Sequence, residues 1–99
     1  MEIFKMAEGT TMIIKVSGRV DTTTAPELDK TIKGSLENTA ELILDFENLD
    51  YISSAGLRVV LSAQKAMNQQ GGKMKVTNVN EIVKEVFDIT GFADILNIE

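Results

Sequence analysis

Ser53 and Ser54 are adjacent hydroxyls at a junction, and their position limits what they can do. Before them runs an apolar stretch, Leu42-Ile43-Leu44 with Phe46 beyond Asp45; after them apolar residues recur at helical spacing. A serine where a loop becomes a helix has two common uses. Its Oγ accepts a backbone N–H of the first turn, as an N-cap. Or it stands as an alcohol beside free N–H groups and the positive end of the helix dipole, where a phosphate is tolerated. A third use, as a catalytic nucleophile, needs a base. The chain has no histidine, and no Ser-x-x-Lys pattern occurs at this site.

The carboxylates and cations nearby read in the same two ways. Asp21, ahead of Thr22-Thr23-Thr24, is a turn residue bonding its own backbone or a contact for a partner or nucleotide. Asp45 lies within the apolar run and reads as a carboxylate bonded to nearby backbone. As a phosphorylated aspartate of a receiver-type domain it would need an acidic cluster and a lysine around it. Arg58 reads as solvated, or as a cation that steers an acidic partner. Val59 reads as the edge of an apolar stripe, or, if exposed beside Ser54, as part of a docking surface.

Other chemistry is absent. No cysteine means no disulfide or thiolate. Without histidine the commonest metal ligand and general base are missing, and no metal or cofactor site emerges. No carboxylate pair is marked out by spacing, and Gly71-Gly72 reads as a helix stop rather than a phosphate loop. Catalysis is not expected. A formal charge of −5 opposes nucleic-acid backbone. No apolar run approaches the roughly 20 residues of a membrane span, and the N-terminal MEIFKMAEG lacks signal-peptide features. A cytoplasmic protein without direct membrane insertion is expected.

Positioning these residues takes a whole domain, read as one unit over 1–99. Residues 2–7 form a first strand, Glu8-Gly9 a turn, and Thr11–Ser17 a second strand that Gly18 ends. Met12, Ile14 and Val16 face one way. Thr24 as N-cap with Glu27 three residues on fits a capping box, and Pro26 suits the first turn. Ala25, Leu28, Ile32 and Leu36 share a helix face, with Gly34 inside it at a cost of about 1 kcal/mol. Leu42–Phe46 reads as a central strand covered on both faces. The next helix buries Gly56, Leu57, Val60, Leu61 and Met67, with Ala63 at the margin and Arg58, Ser62, Lys65 and Gln69 outside. Lys73–Thr77 forms a fourth strand, Asn80 caps a third helix that Gly91 closes, and Ile95–Ile98 reads as a short last strand.

Strand–helix–strand units imply parallel neighbours with right-handed crossovers. The fold class is therefore α/β, a mixed sheet of four to five strands with helices mainly on one side. The loops carrying Asp21 and Ser53-Ser54 follow parallel strands, which puts both at one end of the sheet.

Two segments carry a resemblance: Gly18-Arg19-Val20-Asp21 leading into a helix, and Leu49-Asp50-Tyr51-Ile52-Ser53-Ser54-Ala55-Gly56-Leu57 leading into another. Together they resemble the STAS domain of bacterial anti-sigma-factor antagonists, and the likeness covers essentially the whole chain. That resemblance implies a switch in partner choice. The unphosphorylated domain binds a serine kinase that is also an anti-sigma factor, so the sigma factor is released. The kinase phosphorylates the antagonist with ATP, and a phosphatase resets it. Aligned on Gly56-Leu57, the acceptor falls on Ser54. Ser53 stands where the family often has aspartate, and is the alternative acceptor. The implied partner surface comprises Asp21, Thr22, Ser53, Ser54, Ala55, Gly56, Arg58 and Val59. A constitutive STAS subunit of a transporter or signalling complex, never phosphorylated, is the other function the resemblance allows.

Overall fold

The computed structural model describes residues 1–99. The chain runs β1 (Glu2–Glu8), β2 (Thr11–Val20), α1 (Ala25–Lys33), β3 (Glu41–Asp45), β4 (Leu49–Ile52), α2 (Ser54–Gln69), β5 (Lys73–Thr77) and α3 (Glu81–Thr90), then a 3-10 turn at Phe92–Asp94. β1 and β2 form an antiparallel hairpin closed through Gly9, whose φ of 62° a side chain would resist. β2 then pairs in parallel with β3, and β3 with β5. The sheet has five strands in the order β1-β2-β3-β5, with β4 running parallel to the far end of β2.

One face of this sheet is covered. Ile14, Val16 and Val20 of β2, Leu42 and Leu44 of β3, and Met74 and Val76 of β5 are buried and join one cluster with residues from all three helices. α1 contributes Ala25, Leu28 and Ile32, α2 contributes Leu57, Val60, Ala63 and Met67, and α3 contributes Val83 and Phe87. Alternation along each strand therefore decides what is dry. The other face keeps a row of Met6, Ile13, Ile43 and Lys75, aligned by register. Ile43 is only half-buried, so β3 is covered on one face and not on both.

Several boundaries move for local reasons. β2 does not end at Gly18. That residue has φ 86°, and the register with β4 shifts between Gly18 and Arg19, which marks a bulge through which the strand continues to Val20. Gly34 is the C-cap of α1 and not an interior residue, and Leu36 is buried beyond the helix. The stretch before Ser53 is not all loop, because Leu49–Ile52 forms β4. Leu61 is half-buried rather than core. The terminal segment is not a strand. Ile98 makes one parallel bridge to Val76, held by the Val76 N–H to the Asn97 carbonyl and the Glu99 N–H to the Val76 carbonyl.

Candidate functional site

The site begins where β2 and β4 end side by side. Val20 and Ile52 are register partners, and the Ser53 N–H donates to the Val20 carbonyl at 2.8 Å. The chain leaving β2 and the chain leaving β4 are thus joined by a backbone hydrogen bond at the point of exit. The Asp21 loop and the Ser53-Ser54 turn lie at one end of the sheet, as parallel strands require.

The two serines have different environments. Ser53 is half-buried with extended backbone, φ −90° and ψ 177°, and its Oγ accepts the Gly56 N–H at 3.4 Å. It is the N-cap of α2. Its carbonyl accepts the Leu57 N–H at 2.9 Å, the first bond of the helix. Ser54 is the first helical residue and is exposed. No acidic residue occupies that first turn, so no side-chain charge offsets the positive dipole end.

Gly56 explains how closely the helix approaches. A Cβ there would lie 2.6 Å from Ile52 Cγ1 and 2.7 Å from Val20 Cγ1. Only glycine lets α2 start directly on the paired strand ends. Gly56 is therefore buried and sets where Ser54 sits. Ala55 is half-buried against the core. Val59 is 8% exposed, so its place is in the core and not on an open surface. It lies on the side of α2 that carries Ser62, whose hydroxyl accepts from Lys33 Nζ of α1 at 2.7 Å. Helix α1 covers that side. Arg58, four residues before Ser62 and so on the same strip of α2, is exposed.

Asp21 organises its loop. Oδ1 accepts the Thr23 N–H at 2.9 Å and the Thr24 N–H at 3.1 Å, and the Asp21 carbonyl accepts the Ala25 N–H at 2.8 Å. Thr24 Oγ1 accepts the Asp21 N–H at 2.9 Å and donates to the Arg19 carbonyl at 3.1 Å. Thr24 thus turns its hydroxyl back into the loop, and the capping box with Glu27 does not form. The Thr24 N–H, foremost, lowers the Asp21 carboxyl below its usual range. Desolvation opposes this, while the Thr23 N–H, the Thr24 hydroxyl and the Arg19 charge assist. Thr22, between these groups, is exposed.

Arg19 and Tyr51 stand in the two segments that carry the resemblance, but sequence reasoning assigned them no role. They are register partners on β2 and β4, and the guanidinium sits over the Tyr51 ring, 4.6 Å from its centroid. Asp45 lies away from the site. Its Oδ1 accepts the Glu47 N–H at 3.0 Å and Asn78 Nδ2 at 3.1 Å, which accounts for it structurally.

None of the surface clefts is lined by Asp21, Ser53 or Ser54. No three carboxylates converge to hold a metal ion, and no helix is long and apolar enough to cross a membrane. An exposed alcohol outside any cleft suits contact with another protein more than capture of a small molecule.

A mixed five-stranded sheet covered by helices on one face is the fold of a STAS domain. The chain belongs to that family, whose STAS domain matches residues 5–99. It is similar to the anti-sigma-B factor antagonist of Bacillus subtilis strain 168, 33% identical over 85 residues, which are 86% of this chain and 78% of that protein. It is also similar to the anti-sigma-B factor antagonist of Staphylococcus aureus, at 29% over 86 residues, 86% of this chain and 80% of that one. Two solved structures of SpoIIAA share the fold. The unphosphorylated anti-sigma factor antagonist matches with TM-score 0.85 at 20% identity, covering 99% of this chain and 88% of that one. The phosphorylated form matches with TM-score 0.77 at 19% identity, covering 99% and 91%.

Proposed function

We propose that this protein is an anti-sigma-factor antagonist that binds a serine-kinase anti-sigma factor and is switched off by phosphorylation of Ser54. The observation that carries the assignment to Ser54 is the division of labour between the serines: Ser53 spends its hydroxyl as the N-cap, and Ser54 is exposed one residue on. The relatives named anti-sigma-B factor antagonist support the class of partner. The protein acts as a regulatory binding partner and not as an enzyme, and such partners put its work in the cytoplasm.

In the proposed step the Ser54 oxygen attacks the γ-phosphorus of ATP held by the kinase. The new O–P bond forms as the bond to the β-phosphate oxygen breaks and ADP leaves. The hydroxyl proton passes to a base on the kinase, since no histidine is present in this chain. A phosphatase later hydrolyses the ester. Asp21, Thr22, Ser53, Ser54 and Arg58 meet the partner. Ala55, Gly56 and Val59 act from beneath by holding α2 in place.

The phosphate adds about −1.5 to −2 charges at the dipole's positive end, where it is locally tolerated. The fold is therefore retained, and loss of binding comes from charge and bulk at the contact. SpoIIAA shares this fold in both forms, which supports a switch without refolding. A binding loss of about 3–4 kcal/mol corresponds to more than a hundredfold in affinity.

Incubation with the kinase-type anti-sigma factor and ATP, followed by mass spectrometry, tests the reading. Ser54→Ala is expected to stay unmodified and bound, and Ser54→Asp to fold normally but bind far more weakly. Phosphorylation of Ser54→Ala but not of Ser53→Ala would move the acceptor to Ser53. No modification of either serine, with binding intact, would favour a constitutive STAS subunit of a transporter or signalling complex.

A further inference from the structure

Arg58 lies one turn beyond Ser54 on α2, and both are exposed. Residues four apart share a helix face, and long helical side chains lean back toward the N-terminus. The Arg58 guanidinium therefore reaches toward the turn that carries Ser54. Its charge is uncommitted, because the ion pairs of this chain are Lys33–Asp29 and Lys75–Glu99.

On the α1 side, Lys33 is paired with Asp29 at 3.2 Å and donates to Ser62, one turn beyond Arg58. Other charged groups also lie at this end. Arg19 is stacked on Tyr51 and acts on Asp21. The Asp21 carboxylate is occupied by the Thr23 and Thr24 N–H groups. Asp50 is exposed on β4, one residue before Tyr51. Lys65 lies about two turns farther along α2.

We propose that Arg58 is the intramolecular receptor for the phosphate on Ser54. This rests on Ser54 being the acceptor. Guanidinium and phosphate match in a two-pronged, charge-assisted pair that lysine reproduces only as a point charge. Phosphorylation then does two things at once. It adds an anion to the docking face, and it withdraws from that face the cation that would meet an acidic group on the partner. A phosphate on Ser53 would sit five residues from Arg58, off its face, and would make no such pair.

The experiment uses the full chain with phosphoserine placed at position 54 by site-directed incorporation, independent of any kinase. Phosphorus NMR follows the phosphate's second ionisation across pH. In the otherwise unaltered protein it is expected about half a unit below that in Arg58→Gln, with Arg58→Lys between them. The difference is expected to shrink at high salt. Phosphoserine at position 53 is expected to be indifferent to Arg58→Gln. Equal titrations at position 54 in the parent and Arg58→Gln, both with native amide spectra, would overturn the proposal. A kinase that leaves Ser54 unmodified is a separate result. It would remove the proposed function, while the titration would still report whether the pair forms.

Discussion

Asp21 shows what one side chain does for this surface. Its folded carboxyl is held low chiefly by the Thr24 N–H, so its stabilising effect depends on the negative charge. That effect is fully present above the unfolded value of about 3.9 and is lost as pH falls through the lower folded value. The stability gap between wild type and Asp21→Asn is expected to close as pH is lowered from about 5 to about 2, read by urea unfolding. A gap that stays constant would place the contribution outside the charge. Asp21→Ala is expected to reduce phosphorylation more than it reduces stability. Gly56 offers a steric test. Gly56→Ala pushes a Cβ into Ile52 and Val20 at 2.6 and 2.7 Å, and overpacking of this kind costs about 1–3 kcal/mol. A neutral result in denaturant unfolding would mean that α2 rides farther from the strands than described. The serine pair was legible at this scale, since both residues fit a helix start. Which one caps and which one projects was not, because that depends on backbone angles that the pattern Ser-Ser-Ala-Gly leaves open.

At the scale of elements, the serines also separate by energy. Losing an N-cap costs about 0.5–2 kcal/mol, and the long 3.4 Å bond of Ser53 puts Ser53→Ala toward the lower end. Ser54→Ala is expected within about 0.5 kcal/mol of wild type. Thermal unfolding of both variants checks the assignment of the cap, and equal losses would refute it. β3 lies between β2 and β5, with Leu42 and Leu44 fully buried. Its amides are expected to exchange slowest of any strand, and those of the edge strand β1 fastest. Most elements were readable from periodicity. The sharpest miss was β4, since Leu49-Asp50-Tyr51-Ile52 is short and holds a charged residue. Missing that strand also hid Arg19–Tyr51, a contact that exists only because β4 lies against β2. The run Leu42-Ile43-Leu44 overstated burial for a related reason. Ile43 joins a half-apolar row on the uncovered face, and an apolar residue there reads like a core residue in one dimension.

At the scale of the whole molecule, the −5 charge and the phosphate of the proposed switch act together. If repulsion contributes to the switch, the affinity gap between unmodified and phosphorylated protein is expected to narrow with salt. The screening length falls from about 10 Å at 0.1 M to about 3 Å at 1 M. Calorimetric titration against the kinase across that range measures it, and a gap independent of salt would leave bulk alone as the cause. Far-ultraviolet circular dichroism is expected to be unchanged by phosphorylation. Apart from β4 and the terminal segment, the order of strands and helices was legible because the hydrophobic period changes at each crossover, and the family was legible from the segments Gly18–Asp21 and Leu49–Leu57. That helices lie mainly on one side was legible too, but the open face of β3 was not, because Ile43 within Leu42-Ile43-Leu44 reads as core.

The exposure of Ser54 outside any cleft has one further consequence. A small patch that must enter a kinase's active site admits one macromolecule at a time. On the proposed reading, kinase and phosphatase are then mutually exclusive occupants of the same few residues. Each copy of this protein sequesters a single kinase or awaits repair, and does neither job catalytically. Its control over transcription would be stoichiometric, graded by the number of unmodified copies in the cell relative to the kinase.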